Sequence, residues 1–293
     1  MKKLYSLIVL VIISLSLGIV SLPDDKLHLI TCDVGQGDAN LILYKNTQIL
    51  IDGGKGDMVL ECLQRHVPFW DKTIETVIIS HPQDDHFGGI IDVAKSYQVK
   101  NYLVSGLNAS SQKWSVLEGI VGSTDSKIVY TKTGDQYQLG LIHLDILWPK
   151  ISDFKGLTME EKTNDQKVLG TFTSSQDPND FSVVLNLKYK NFTAIYTGDI
   201  GPDTEENIIK LNVLSNVDLL KVPHHGSKNG LSENFLKKLS PKIAVIGVGK
   251  NPWGHPHQEI LNLLQDYKVQ TYRTDKDGDI QVITNGNGYK VLK

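Results

Sequence analysis

Five polar clusters in this chain each begin where an apolar run ends: Asp33–Asp38, Asp52, His81–His86, Asp199 and His224–His225, with His255 just past a sixth run. Short apolar runs rich in β-branched residues read as buried strands. Side chains gathered at the same end of neighbouring strands converge in space, so the pattern constrains the chain to a sheet-based fold with a polar rim. The densest cluster, Ser80-His81-Pro82-Gln83-Asp84-Asp85-His86-Phe87-Gly88-Gly89, follows Thr76-Val77-Ile78-Ile79. Imidazoles and carboxylates on a turn at a strand's end suit metal ligation. Alone, this stretch reads equally as a polar surface loop, and the later clusters are what favour the ligand reading.

Strands are predicted at 26–34, 39–44, 48–52, 76–80, 99–104, 127–130, 142–148, 182–187, 192–196, 217–222, 243–248, 270–273 and 278–284. Helices are predicted at 58–67, 90–97, 116–121, 203–210, 232–239 and 258–267, the first with Met58, Cys62 and Leu63 on one side. Residues 149–179 are polar and form the longest loop-like stretch, a lid or an insertion. Strands and helices interleave throughout, which argues for two packed sheets covered by helices in one domain over 26–293.

The formal charge is −3, and Arg65 and Arg273 are the only arginines, so no global basic field exists to collect nucleic acid. A polyanionic substrate has to be held locally, by lysines and metal. Met1-Lys2-Lys3, the apolar run Leu4–Leu22 and Pro23-Asp24-Asp25 read as a signal peptide or N-terminal membrane anchor over residues 1–25. No Ala-x-Ala site follows, which favours an uncleaved anchor. Lysines before the run and aspartates after it put the main body outside the cytoplasm, so the protein is expected to be exported, anchored on the extracellular side or secreted. Cys32 falls in a predicted strand and Cys62 in a predicted helix; two buried thiols are the default, with a disulfide permitted outside the cell.

Histidine and carboxylate without thiolate favour Zn²⁺ or Mn²⁺, as one or two ions with Asp199 able to bridge them. Such ions supply a nucleophilic water near neutral pH and stabilise in-line displacement at phosphorus. Asp-Val-Gly-Gln-Gly-Asp, Leu-Ile-Asp-Gly-Gly, Ser-His-Pro-x-x-Asp-His-x-Gly-Gly, Asn-Asp-x-Ser, Thr-Gly-Asp, Val-Pro-His-His-Gly-Ser and Gly-His-Pro occur in that order between Asp33 and Pro256. With these motifs the chain, from Leu27 onward, resembles the metallo-β-lactamase superfamily, and within it the ComEC-like domains of competence proteins. The resemblance implies an α+β fold, an αββα four-layer sandwich of two mixed β-sheets flanked by helices. It also implies a metal-dependent hydrolase, with nuclease action on DNA as the expected activity. Hydrolysis of another exported ester, such as a cell-wall phosphodiester, and a non-catalytic sensor or scaffold are the alternatives. The polytopic channel of ComEC is absent, so a stand-alone version is expected.

Carried over residue by residue, the resemblance implies that His81, Asp85, His86, Asp199, His225 and His255 hold metal. His81, His225 and Asp199 would sit at one ion, and Asp85, His86, Asp199 and His255 at the other. Asp85, Asp199 and His224 are the candidates for the chemical step, with His224 the second choice as ligand in place of His225. Gln83 departs from the pattern, since the family usually has His or Asp there, and an amide weakens the first site. Asp52 is expected to orient a ligand from behind. Asp33 and Asp38 either cap loop amides or touch substrate. Trp253 is either packing or a base-stacking platform. Asn179-Asp180-x-Ser182 is either the family motif or a strand-entry turn. His28, His66 and His143 are expected to be structural, and His257 a helix-start residue.

Overall fold

The computed structural model describes residues 23–154, 156–159 and 168–293. The apolar run Leu4–Leu22, on which the leader expectation rests, lies outside the described residues.

The first sheet begins as an antiparallel meander of β1 (Leu27–Thr31), β2 (Asn40–Tyr44) and β3 (Thr47–Ile51). It continues in parallel through β4 (Thr73–Ile79), β5 (Gln98–Val104) and β6 (Lys127–Tyr130). Parallel neighbours need long crossovers, supplied by α1 (Met58–His66), α2 (Asp84–Phe87) with α3 (Ile90–Ser96), and α4 (Gln112–Gly122). The second sheet pairs β7 (Gln136–Leu139), β8 (Ile142–Trp148), β11 (Val184–Tyr189) and β12 (Phe192–Tyr196) antiparallel. Parallel strands β13 (Leu219–Lys221), β14 (Ile243–Ile246) and β15 (Gln270–Arg273) follow, crossed over by α5 (Pro202–Lys210), α6 (Glu233–Leu239) and α7 (Gln258–Asp266). After α8 (Thr274–Asp277) the chain returns to the first sheet as β16 (Ile280–Thr284) and β17 (Tyr289–Leu292), β16 pairing with β1.

Three apolar layers make this the expected αββα sandwich. Leu29, Ile42, Ile49 and Ile78 of the first sheet meet Leu144, Leu185, Leu187 and Val245 of the second between the sheets. The other face of the first sheet packs on Val59, Leu63, Ile90 and Leu117 from its helices. Ile208, Phe235, Leu236 and Ile260 cover the second sheet in the same way. Strand β14 and the last four residues of β4 are buried on both faces, which is why they read as continuous runs and not as alternation.

Four features depart from the reading of the sequence. β7 and β17 were not predicted; they are half-exposed, four-residue edge strands whose apolar side, Tyr137 and Leu139 in one and Val291 in the other, only partly reaches the core. The stretch 149–179, insofar as it is described, carries an antiparallel pair of two-residue strands, β9 (Thr158–Met159) and β10 (Phe172–Thr173). In α1 the core face is Val59, Cys62 and Leu63, while Met58 is exposed. Cys32 and Cys62 are not two thiols but a disulfide, fastening the segment after β1 to α1. Both sulfurs are buried, so burial alone did not distinguish the two states.

Glu205 joins two helices of the outer layer. Its carboxylate accepts the Ser232 backbone N–H at 2.8 Å, and Ser232 caps α6 through its own hydroxyl. Burial raises the Glu205 carboxyl, outweighs that hydrogen bond, and leaves it at about 7. An acid raised in the folded state costs nothing below its unfolded pKa near 4.5, and its ionisation destabilises the fold as pH climbs through 7. Glu205→Gln keeps the acceptor and removes the charge. Thermal melts are expected to match wild type at pH 4 to 5 and to show a gain of about 3 kcal/mol at pH 8. Identical melts at both pH values would contradict the assignment.

Candidate metal centre

The ligand-bearing segments all leave the C-terminal ends of strands. From the first sheet, Asp52 follows β3 and Ser80-His81 follows β4, with Asp85 and His86 in α2. From the second sheet, Asp199 follows β12, His224-His225 follows β13, and His255 lies between β14 and α7. Asp52, His224 and His225 hold left-handed backbone, at φ +60°, +50° and +52°. Non-glycine residues enter this region at a cost on the order of 1–3 kcal/mol each, and such strain gathers at functional sites. Gly226 completes the turn at φ +77°, where a Cβ would meet Pro256 Cβ at 2.5 Å. Glycine there lets the His-His turn pack against the segment that carries His255.

Asp199 is the hub of the cluster. Its Oδ1 lies 3.3 Å from His86 Nε2, and its Oδ2 lies 3.4 Å from His225 Nε2 and 3.9 Å from His224 Nε2. The rings of His81 and His86 stand 4.2 Å apart between centroids. Asp85 Oδ2 reaches to 3.7 Å of His225 Nε2. His255 lines the same cleft of about 660 Å³ as Asp85, Asp199, His224 and His225, its ring centroid 5.6 Å from that of His224. The six metal-ligand candidates therefore belong to one site. Asp85 and His225, which the resemblance divides between two ions, are neighbours here.

Each buried imidazole is oriented from behind. His225 Nδ1 donates to the Gly247 carbonyl at 2.8 Å, and His86 Nδ1 donates to Asp52 Oδ2 at 2.9 Å. Ser80 Oγ donates to Asp52 at 2.7 Å and so accepts from His81 Nδ1 at 3.0 Å. With Nδ1 engaged, Nε2 is the nitrogen each ring presents inward. Nε2 of His81, His86 and His225 and Oδ1 of Asp199 are all buried and make no hydrogen bond. Buried polar atoms are normally satisfied. Unsatisfied nitrogens of His86 and His225 converging on the Asp199 carboxylate are what a divalent cation completes, so these residues fit a metal ion, with His81 beside them.

The electrostatics agree. Burial alone would raise the Asp199 carboxyl, but His225 and His86 beside it outweigh burial and hold it well below the usual carboxylate range. Burial would lower His86 and His225, yet Asp199, with Asp52 behind one and Asp38 behind the other, holds both well above the usual imidazole range. His81 moves the opposite way, pushed to about 4 by burial and then by His86. It is neutral at pH 7 and ready to ligate, whereas the other two release a proton when a cation takes its place.

Asp52 orients His86 and Ser80 from behind, as expected. Asp38 does neither of the things expected of it. It is fully buried, pairs with the equally buried Lys221, and stands 3.6 Å from His225 Nδ1. Asp38, His86, Asp199 and His225 each offer a ligand atom, all within 4.8 Å of one another. Asp33 caps the Gly35 amide at 3.3 Å and stays exposed. Ser182, from the Asn-Asp-x-Ser stretch, contacts His81 Nδ1 at 3.3 Å and accepts from the Asp199 N–H at 3.2 Å. Lys221 was missed, although a lysine inside the apolar run before His224 was the signal. Trp253 is 60% exposed at the cleft and not part of the core. His28 and His66 pair with Asp24 and Asp279 away from the site, His143 is exposed, and His257 begins α7 through its backbone.

The family model of the Metallo-beta-lactamase superfamily matches residues 32–250. The chain is 28% identical over 276 residues to ComE operon protein 3 of Bacillus subtilis, covering 85% of this chain and 32% of that protein. It is 27% identical over 261 residues to Recombination protein 2 of Haemophilus influenzae, covering 86% of this chain and 28% of that protein. The chain thus spans about a third of the length of these curated relatives. Among solved structures it is similar to the metallo-beta-lactamase fold protein YhfI from Bacillus subtilis, with a TM-score of 0.55 and 14% identity over 88% of this chain and 100% of that one.

Proposed function

The chain belongs to the metallo-beta-lactamase superfamily, and on that premise we propose that it is an exported, metal-dependent phosphodiesterase acting on nucleic acid. The observation that carries this reading is the pair of unsatisfied Nε2 atoms of His86 and His225 against Asp199, with the unsatisfied Nε2 of His81 on the ring stacked beside His86. When bound, a divalent ion supplies Lewis-acid polarisation of a phosphoryl oxygen and an acidified water as nucleophile. The chain's own groups do the rest. Asp199 and Asp85 hold negative charge against the cation, and Asp52 and Ser80 fix the ring orientations. His224, half-buried at the cleft rim, is within reach of a leaving oxygen and able to hand it a proton. Lys55 and Lys250 line the cleft and give a phosphodiester local cations, while exposed Trp253 offers a face on which a base stacks.

The relatives named for the ComE operon and for recombination support a nucleic-acid substrate. The Cys32–Cys62 disulfide supports an oxidising compartment, in keeping with the apolar N-terminal run. The test is hydrolysis of single- and double-stranded DNA, RNA, a wall-type polyol-phosphate polymer and a chromogenic phosphodiester by metal-loaded protein. Cleavage of a nucleic acid is expected. Cleavage of the polyol-phosphate alone would move the assignment to a wall hydrolase, and inertness toward all would favour a sensor.

Gln83 lines the cleft from the N-terminal cap of α2, where an ionisable ligand would complete a second position. Gln83→Asp is expected to raise metal content from about one ion toward two, read by elemental analysis of the dialysed protein. Unchanged stoichiometry would show that the other residues already complete the site.

A further inference from the structure

We propose that the aromatic pair Phe69–Trp70 seats the protein on the bilayer, a second membrane contact beside the N-terminal run; the proposal rests on reading Leu4–Leu22 as membrane-inserted. Phe69 is 81% exposed and Trp70 46%, their rings edge to face at 4.9 Å. An apolar pair of this size pointing at water is costly unless something covers it. The occupant is indicated by where the chain enters. Pro23 and Asp24, the first described residues after the apolar run, line the same groove as Phe69 and Trp70. A chain leaving a membrane at Leu22 brings this tip to the boundary between headgroups and acyl chains, where Trp and Phe are favoured.

The charges around the tip are balanced. Lys26 pairs with Asp24 at 3.9 Å and Lys45 with Asp25 at 3.1 Å. Aromatic insertion and not net charge therefore sets the contact, so it persists on zwitterionic as on anionic lipid. The tip joins the C-terminal end of α1 to the start of β4, whereas the metal centre lies past the other end of β4. Seven residues of strand span roughly 20 Å. Seated this way, the metal centre stands about a strand's length from the bilayer and takes its substrate from the aqueous side, not from the lipid.

The full-length protein is reconstituted in zwitterionic and in anionic vesicles carrying shallow-brominated lipid, and tryptophan quenching is recorded after a carbonate wash. Trp114 and Trp148 are buried, which leaves Trp70 and Trp253 as reporters. The expected result is quenching in both lipids that is lost in Trp70→Phe and kept in Trp253→Phe. Quenching unaffected by Trp70→Phe, in protein that survives the wash, overturns the docking and leaves the anchor intact. Protein that washes off overturns both. Trp70 emission that is blue-shifted but unquenched means that another segment of the chain covers the tip, and the proposal fails.

Discussion

Asp199→Asn is expected to abolish metal binding and phosphodiesterase activity together, with the fold retained. The substitution keeps volume and replaces a buried anion by an amide. Both oxygens of Asp199 face imidazoles, Oδ1 toward His86 and Oδ2 toward His225, so no other carboxylate of the cluster takes over its place. Loss of a partner one layer out is milder: Asp52→Asn, which only orients His86 and Ser80, is expected to cost about 10–100-fold in metal affinity. Direct titration of metal into the stripped proteins gives the comparison. Equal losses in the two variants would deny Asp199 its central position, and His28→Ala, far from the cleft, serves as the unaffected control.

The second large effect is on stability. Lys221 is 1% exposed, and its ammonium pairs with Asp38 and donates to the Gly198 carbonyl at 3.3 Å, 3.8 Å from Asp199 Oδ1. Burial alone would raise Asp38 and lower Lys221, but each holds the other in its charged form. Lys221→Met strands the Asp38 carboxylate in the interior, which costs about 3–5 kcal/mol when one member of a buried pair is removed. For a domain of this size the melting temperature falls by roughly 10 °C. Adding Asp38→Leu to the variant removes the stranded charge and is expected to restore most of that loss. A single variant as stable as wild type would show that the pair is not an ion pair in solution.

Much of this molecule was legible because its signals are local. Each ligand candidate sits within about seven residues of the end of an apolar run, and runs such as Thr76–Ile79 and Ile243–Val248 have the length and β-branching of buried strands. The convergence of His81, His86, Asp199, His225, Asp85 and His255 followed from that placement. What escaped depends on partners far apart in sequence. Asp38 lies in the loop between β1 and β2 of the first sheet and Lys221 at the end of β13 in the second, and only folding makes one a counter-ion for the other. Cys32 and Cys62 each look like an ordinary core residue, and their bond needs β1 and α1 brought side by side. Ser80 and Ser182 are common strand-flanking residues whose value lies in the imidazole each meets. The edge strands β7 and β17 are four residues long and bury only Tyr137, Leu139 and Val291 in part, too few alternations for a period to mark them.

The central link to test is the one between the cluster and hydrolysis. The most direct measurement is a titration of chelator-stripped full-length protein with Mn²⁺ or Zn²⁺, with bound metal and cleavage of labelled DNA read on the same samples. Cleavage is expected to rise in proportion to bound metal and to vanish on re-chelation, while Asp199→Asn shows neither binding nor cleavage. Metal-loaded protein that leaves both DNA and a chromogenic phosphodiester intact, or stripped protein that cleaves as well as loaded protein, would contradict the account.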